Sequence, residues 1–353
     1  MHIAIEQALL RSWMSINTLS CLLLPVALCM KFLVFFRRSL YQLGVLKSEK
    51  VDATVVVVGN VIAGGAGKTP TVIELVQHLK SKGIACGVVS RGYASNNAHC
   101  QEVSPQTSAL EVGDEPLLIY RKTGIPVVIG KNRTLAAKSL LGQHPNTKII
   151  ICDDGLQHYQ LYRDIEICVF DNRGYGNGLM LPAGPLREAW PRVTLPSVGQ
   201  NSQRSIVLHT GSKPAFDGFR ALRKLSDTAT DCKGNQFPLN ELRHRSAKPL
   251  IAVAGIAQPE VFFEMLRSAG ILLQQTIPLP DHYDFKNIKN HIPLDVQVIC
   301  TEKDAAKLWR HLPQALSVGL QQTSEPDFFK AFDNCLQQAS IDKLSSHHGH
   351  QAT

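Results

Sequence analysis

No Cys-x-x-Cys pair occurs in this sequence, and its 9 cysteines are scattered singly, several inside apolar runs such as Ile149-Ile150-Ile151-Cys152. That spacing excludes a structural zinc site and a disulfide framework, and leaves buried free thiols in a reducing compartment. Basic residues form no stripe either. The 37 Lys+Arg exceed the 29 Asp+Glu by +8, spread along the chain, which favours an anionic surface or substrate and excludes nucleic acid as the expected partner. No internal repeat is visible, and no segment points to an obligate protein partner. With 44% hydrophobic and 19% charged residues the chain is an ordinary folding one, and its 353 residues suffice for about two domains.

One long apolar run stands out, Leu19 to Phe36, reading LSCLLLPVALCMKFLVFF, with Arg11 before it and Arg37-Arg38 after it. At about 1.5 Å per residue it approaches bilayer-spanning length. The lack of a small-residue cleavage site argues against a secretory signal, and Pro25 and Lys31 interrupt a clean span. An interfacial or shallowly inserted helix is expected, with Lys31 reaching the headgroups and Arg37, Arg38, Lys47 and Lys50 meeting anionic lipid. A single span and a helix buried in a soluble core are the alternatives. The basic flanks place the rest of the chain in the cytoplasm.

Beyond this segment, short β-branched runs alternate with helical stretches: Thr54–Gly59, Gly87–Ser90, Pro126–Gly130, Lys148–Cys152, Glu166–Asp171 and Ser205–His209. Continuous runs such as VVVV and III are what strands buried on both faces require, so the fold expected is α/β with a mostly parallel sheet. Residues from about 210 to 248 turn polar and lose periodicity. A second strand-helix set follows, with Leu250–Ala254, a helix starting at Pro259, a strand Val296–Cys300 and a helix near Lys303–Arg310. The expected organisation is a membrane-associated segment over 1–45, a first α/β domain over 46–212, a linker with a second, smaller α/β domain over 213–340, and a flexible tail over 341–353.

The strand Thr54–Gly59 runs into Asn60-Val61-Ile62-Ala63-Gly64-Gly65-Ala66-Gly67-Lys68-Thr69-Pro70 and then an apolar-periodic helix. This is the P-loop order. Glycines let backbone amides approach phosphates, Lys68 reaches the β/γ oxygens, Thr69 can ligate Mg²⁺, and the helix N-terminus favours negative charge. The spacing is GGxGKT, with Ile62 where the usual loop has its first glycine, a form shared with membrane-recruited ATPases. Asp153 and Asp154 follow a buried-type strand, where open α/β sheets place their ligands, and either can hold Mg²⁺. Asp114 and Glu115 open a helix and read equally as dipole-complementing acids or as site acids. On residue type alone His282 is a surface or core histidine and Arg187 a salt-bridge partner in a Pro/Gly loop.

Taken together, GNVIAGGAGKTP (59–70), SRGYA (90–94), VGDEPLLI (112–119), ICDDGLQHYQLYRDIEICVFD (151–171), YGNGLMLPAGPLRE (175–188), AVAGIAQPEVFF (252–263), LPDHYDF (279–285) and TEKDAAK (301–307) resemble the tetraacyldisaccharide 4'-kinase family of lipid A biosynthesis. The resemblance implies ATP and Mg²⁺ as cofactors and transfer of the γ-phosphoryl group to the 4'-hydroxyl of a lipid A disaccharide 1-phosphate. It also implies two α/β domains with the site between them, at the cytoplasmic face of the bacterial inner membrane. By position, Gly64, Gly65, Ala66, Gly67, Lys68, Thr69 and Pro70 would hold the phosphates, and Glu302, Lys303 and Asp304 would lie near the nucleotide base. Thr69, Glu115, Asp153 and Asp154 would surround the metal. Asp114 would be the general base paired with His282, and Arg187 would neutralise phosphate charge. A GGxGKT ATPase that switches partners at the membrane is the alternative.

Overall fold

The computed structural model describes residues 12–92, 99–192, 204–244, 249–293 and 295–348. Tyr93 and Ala94 of the SRGYA block and residues 349–353 of the expected tail lie outside them. The first part of the chain contains α1 (Thr18–Gln42), β1 (Thr54–Gly59), α2 (Lys68–Ser81), β2 (Cys86–Ser90), β3 (Gln101–Glu102), α3 (Ala109–Val112), α4 (Asp114–Thr123), β4 (Val127–Ile129), α5 (Arg133–Gln143), β5 (Ile149–Asp153), β6 (Ile165–Phe170) and β7 (Ser205–His209). The second contains β8 (Phe219–Thr230), β9 (Gln236–Pro238), α6 (Leu239–His244), β10 (Leu250–Ala254), α7 (Pro259–Ser268), β11 (Gln275–Pro278), β12 (Gln297–Thr301), α8 (Glu302–Leu308), β13 (Leu316–Ser324) and α9 (Pro326–His348).

Among the described residues the strands join in one path, β11-β10-β12-β13-β8-β7-β6-β1-β5-β2-β4-β3, with β9 hanging from β8. β1 is parallel to β5 on one side and β6 on the other. Its six residues are all buried, and they alternate between two cores: Val56 and Val58 face one cluster, Val55 and Val57 the other. Each such side chain contributes roughly 1.5–3 kcal/mol on burial, enough to hold the strand central without any polar anchor. β10 repeats the arrangement, with Ala252 and Ala254 on one side and Ile251 and Val253 on the other.

The stretch expected to be a polar linker is instead the 12-residue strand β8. It starts parallel to β7 at Phe219 and Arg220, then runs antiparallel along β13 from Ala221 to Thr230, stitching the two halves into one sheet. Only Ala221, Leu225 and Ala229 are buried along it, between Arg220, Arg223, Lys224 and Asp227. A strand with so sparse a buried face carries no continuous apolar run, which is why its composition reads as linker. α9, grouped by sequence with the second unit, returns to the first: Phe328 and Phe332 lie in the same core as Val56 and Val58. Its helix also extends to His348, into the expected tail.

Helix α1 begins at an Asn17/Ser20 capping box and continues through Pro25. Only Ser20 and Ala27 are buried on it, while Leu22, Phe32, Phe35 and Phe36 stand exposed. A soluble core helix would hide these side chains, so that alternative does not fit. The helix is long and apolar enough to cross a membrane and is compatible with membrane association. Of the basic residues expected at lipid, Arg38 turns inward, its Nη1 4.0 Å from the buried Glu188 carboxylate. Arg37 lies over the Tyr159 ring and Lys50 over Tyr162, while Lys47 is exposed.

Candidate active site

The sheet register sets the first end of the site. Val58 pairs with Asp153, so the loop leaving β1 and the acids ending β5 emerge side by side. They do so where the strand order departs to both sides of β1, the crevice in which open α/β sheets bind ligands. Gly64 and Gly67 have φ of 87° and 89°, and a Cβ on Gly67 would come within 3.1 Å of the Thr210 hydroxyl. Both the backbone and the space therefore demand glycine there. Lys68 is buried at the start of α2, its Nζ 3.3 Å from Asn60 Oδ1 and 3.4 Å from Asp154 Oδ1. Asn60 in turn donates to the Gly64 carbonyl at 2.9 Å. Thr69 and Pro70 complete the first turn, where a proline's missing amide proton costs nothing. The Ala66 carbonyl accepts from Thr210 Oγ1 at 2.8 Å.

Arg187 reaches the same place by a different route. Its own amide donates to the Val61 carbonyl at 2.7 Å, and the Ala63 amide donates to Pro185 at 2.8 Å, tying the Pro/Gly loop to the phosphate loop. Its guanidinium then lies 3.5 Å from Asp154 Oδ1, the oxygen that Lys68 also faces. The two neighbouring aspartates are driven apart by these surroundings. Burial, then the charges of Glu115 and Asp154, push the Asp153 carboxyl up to about 7. Burial also acts on Asp154, but Lys68 and Arg187 outweigh it and hold that carboxyl below the usual range.

Asp153 Oδ2 accepts from Ser90 at 3.3 Å, and its buried Oδ1 has no hydrogen-bond partner among the described residues. Carboxylates of Asp153, Asp154 and Glu115 with the Thr69 hydroxyl are a hard oxygen set. Among the described residues no three His, Cys, Asp or Glu side chains close into a metal cage. An orphaned carboxylate oxygen in an open all-oxygen site suits Mg²⁺, which keeps waters and takes phosphate oxygens rather than filling a protein cage.

The second end of the site is assembled from both halves. Asp114 is the buried first residue of α4. Lys307 Nζ donates to its Oδ2 at 2.6 Å, and His282 Nδ1 lies 3.2 Å from the same oxygen. Asp114 Oδ1 is buried without a hydrogen-bond partner among the described residues. Burial pushes this carboxyl up, but the hydrogen bonds from His282 and Lys307 and the charges of Lys307 and Lys303 outweigh it, and it ends below the usual range. Glu115 pairs with Lys303 Nζ at 3.2 Å, which also meets Asp281 at 3.1 Å.

The structure thus brings Lys68, Asp153, Asp154 and Arg187 together, and Asp114 with His282. The Glu302-Lys303-Asp304 block packs against α4: Glu302 pairs with Lys122, and Lys303 with Glu115. Asp304 is spent inside the fold, accepting from Thr301 Oγ1 at 2.6 Å and from the Gly255 amide at 3.0 Å. Sequence reading missed Lys307, although it lies four residues from Lys303 and therefore on the same helix face.

A glycine loop joining a buried parallel strand to a helix, with a lysine at the helix start and carboxylates at the adjoining strand end, defines the class: a P-loop nucleotide-binding protein. Residues 19–338 match the model of the family described as LpxK, Tetraacyldisaccharide-1-P 4'-kinase. The chain is 48% identical to a tetraacyldisaccharide 4'-kinase of Polaromonas naphthalenivorans (strain CJ2), over 99% of this chain and 100% of that one. It is 46% identical to the protein of that name from Acidovorax ebreus (strain TPSY), over 93% and 94%. Its fold is similar to the crystal structure of LpxK from Aquifex aeolicus in complex with ATP, with a TM-score of 0.74 at 26% identity, covering 91% of this chain and 99% of that one. The chain belongs to the tetraacyldisaccharide-1-P 4'-kinase family, whose members are phosphotransferases acting on a hydroxyl group.

Proposed function

We propose that this kinase carries the γ-phosphoryl group of ATP to the 4'-hydroxyl of a tetraacyl disaccharide 1-phosphate, with Asp114 and His282 handling the acceptor proton. The carrying observation is the meeting of Asp114 with His282 and Lys307, which leaves a buried Asp114 oxygen free to accept from a hydroxyl. In the transfer, a bond forms between the acceptor oxygen and the γ-phosphorus as the bridging β–γ oxygen departs with ADP. A loose transition state asks mainly for alignment and for charge stabilisation on the equatorial oxygens, work suited to Lys68 and Arg187. Asp114, held anionic by its cations, orients the hydroxyl and receives its proton late, with His282 sharing the hydrogen bond. When bound, Mg²⁺ at Thr69, Asp153, Asp154 and Glu115 supplies charge neutralisation for the polyphosphate. Glu302 and Lys303, at the start of α8, stand near the nucleotide.

Helix α1 supports a place at the cytoplasmic face of the inner membrane, peripheral or anchored through its exposed apolar side chains, with anionic lipid against Arg37, Lys47 and Lys50. The test follows γ-labelled ATP with full-length protein in detergent micelles, with and without tetraacyl disaccharide 1-phosphate, using Lys68→Ala as the blank. Label on the lipid is expected. Label released only as free phosphate, whatever the lipid, would overturn the reading.

A further inference from the structure

The carbonyls of a phosphate-binding loop must be held by something if its amides are to stay aimed at an anion; besides Asn60 on Gly64 and Thr210 on Ala66, Arg173 and Gln258 hold those of Ala63 and Gly65, and Asp171 braces both donors. Arg173 donates from Nη1 to the Ala63 carbonyl and from Nη2 to the Gly65 carbonyl, each at 3.0 Å. Asp171, just beyond β6, pairs with the same guanidinium at 2.8 Å and accepts its Nε–H. Gln258 comes from the second half of the sheet, between β10 and α7. Its Nε2 donates to Asp171 Oδ2 at 2.6 Å and to the Gly65 carbonyl at 3.2 Å.

Gln258 stands at the N-cap of α7, yet its side chain makes no capping bond. The two amide protons that such a side chain can give are both used across the junction. The neighbouring residue closes the same contact: a Cβ built on Gly65 would meet Ala257 at 3.4 Å, so the chain around Gln258 lies against the loop itself.

We propose that Gln258 is a positioning residue of the phosphate-binding loop, working with Asp171 and Arg173 to couple the seating of the second half to the loop's grip on nucleotide. This rests on reading Gly64–Thr69 as the polyphosphate site. Gln258 touches no reacting atom. It sets the angle of the Gly65 peptide, and with it the preorganisation of the amides that follow. Losing it weakens nucleotide binding while the proton-handling end, at Asp114, keeps its own contacts with His282 and Lys307.

The test uses full-length protein in detergent micelles and reads KM for ATP, kcat, equilibrium binding of ADP and thermal unfolding for Gln258→Ala, Gln258→Glu, Asp171→Asn and the Gln258→Glu/Asp171→Asn double variant. Gln258→Glu sets two carboxylates against each other and is expected to raise KM for ATP and the ADP Kd about tenfold, the loss typical of a hydrogen bond to a charged group. Its kcat should fall by less than about threefold, because the transition-state contacts are untouched. The double variant restores the 258–171 donor-acceptor pair with its sense reversed but leaves the Gly65 carbonyl without its donor, so KM should improve on Gln258→Glu by about threefold and stay above that of the parent. Gln258→Ala, which introduces no charge, guards against a variant that fails to fold. Unchanged nucleotide affinity in Gln258→Ala and Gln258→Glu would overturn the coupling, as would a double variant no better than its worse single. Parent protein binding ADP no more tightly than Lys68→Ala would instead sink the assignment of the loop, and the coupling with it.

Discussion

Asp154 meets Lys68 and Arg187 within the first half of the sheet, whereas Asp114 meets His282 and Lys307 only because the second half lies against it. The phosphate end is built from adjacent strand ends and two loops of the first half, with Gln258 of the second half reaching it at the Gly65 carbonyl, so most of its geometry follows from pairing within one half. The proton end exists only when segments far apart in sequence are seated together. On the proposed reading, seating the second half would tighten the loop's grip through Gln258 and bring His282 and Lys307 to Asp114 together, which would limit transfer of the phosphoryl group to water.

Removing Lys68 should separate the two ends most sharply. Lys68→Ala is expected to lower kcat/KM by roughly 10³-fold or more, since on the proposed reading the loop lysine would meet phosphate oxygens in both ground and transition states. Initial rates of label transfer measure it, and a loss below tenfold would break the view of this end as the main charge stabiliser. Next comes the proton end. Asp114→Ala and His282→Ala should each cost about 10²- to 10³-fold in kcat with KM for ATP nearly unchanged, and the double variant should be no more than about threefold worse than the stronger single. Losses that multiply would show two separate jobs in place of one pair.

The same division governs how much could be read in advance. GGAGKT, its preceding valine strand and the Asp153-Asp154 pair are contiguous signals whose chemistry follows from residue type and order. Asp114 and His282 are 168 residues apart, and neither differs by itself from a helix-start acid or a surface histidine. Only the resemblance of whole blocks paired them. Lys307 escaped because its block drew attention to Glu302, Lys303 and Asp304, of which Asp304 serves the fold. β8 escaped because one buried residue in four, among arginines and threonines, leaves no pattern that composition can register.

Lys307→Met tests whether a cation from the second half tunes the acid of the first. Asp114 is held below the usual carboxylate range in part by Lys307, so removing that charge must raise its pKa. The acid limb of kcat/KM should move toward neutral pH, and activity on the plateau should fall about tenfold because a buried charged hydrogen bond is lost. The linked stability follows the same sign. A carboxyl depressed on folding stabilises the fold above its unfolded pKa and loses that contribution as pH falls through the folded value, so the variant should also forfeit part of its margin near neutrality. An acid limb that stays in place would detach Lys307 from the proton end.

The smallest effect expected is at Lys303, and it decides between two readings of one residue. Its ammonium lies between Glu115 and Asp281, whose side chains are 30% and 35% exposed, while Asp114 beside Lys307 is 4% exposed. Water can reach the carboxylates that Lys303→Ala would leave behind, so the loss should be a few-fold, well short of that at Lys307. If Lys303 braces Glu115 within the site, kcat carries that loss and KM for ATP stays within about twofold of the parent. If Lys303 instead touches the nucleotide, as its place in the Thr301-Glu302-Lys303-Asp304 block implies, KM for ATP rises and kcat is kept. The first result would make α8 part of the proton end throughout. The second would carry the nucleotide across the junction and end the clean separation of the two ends.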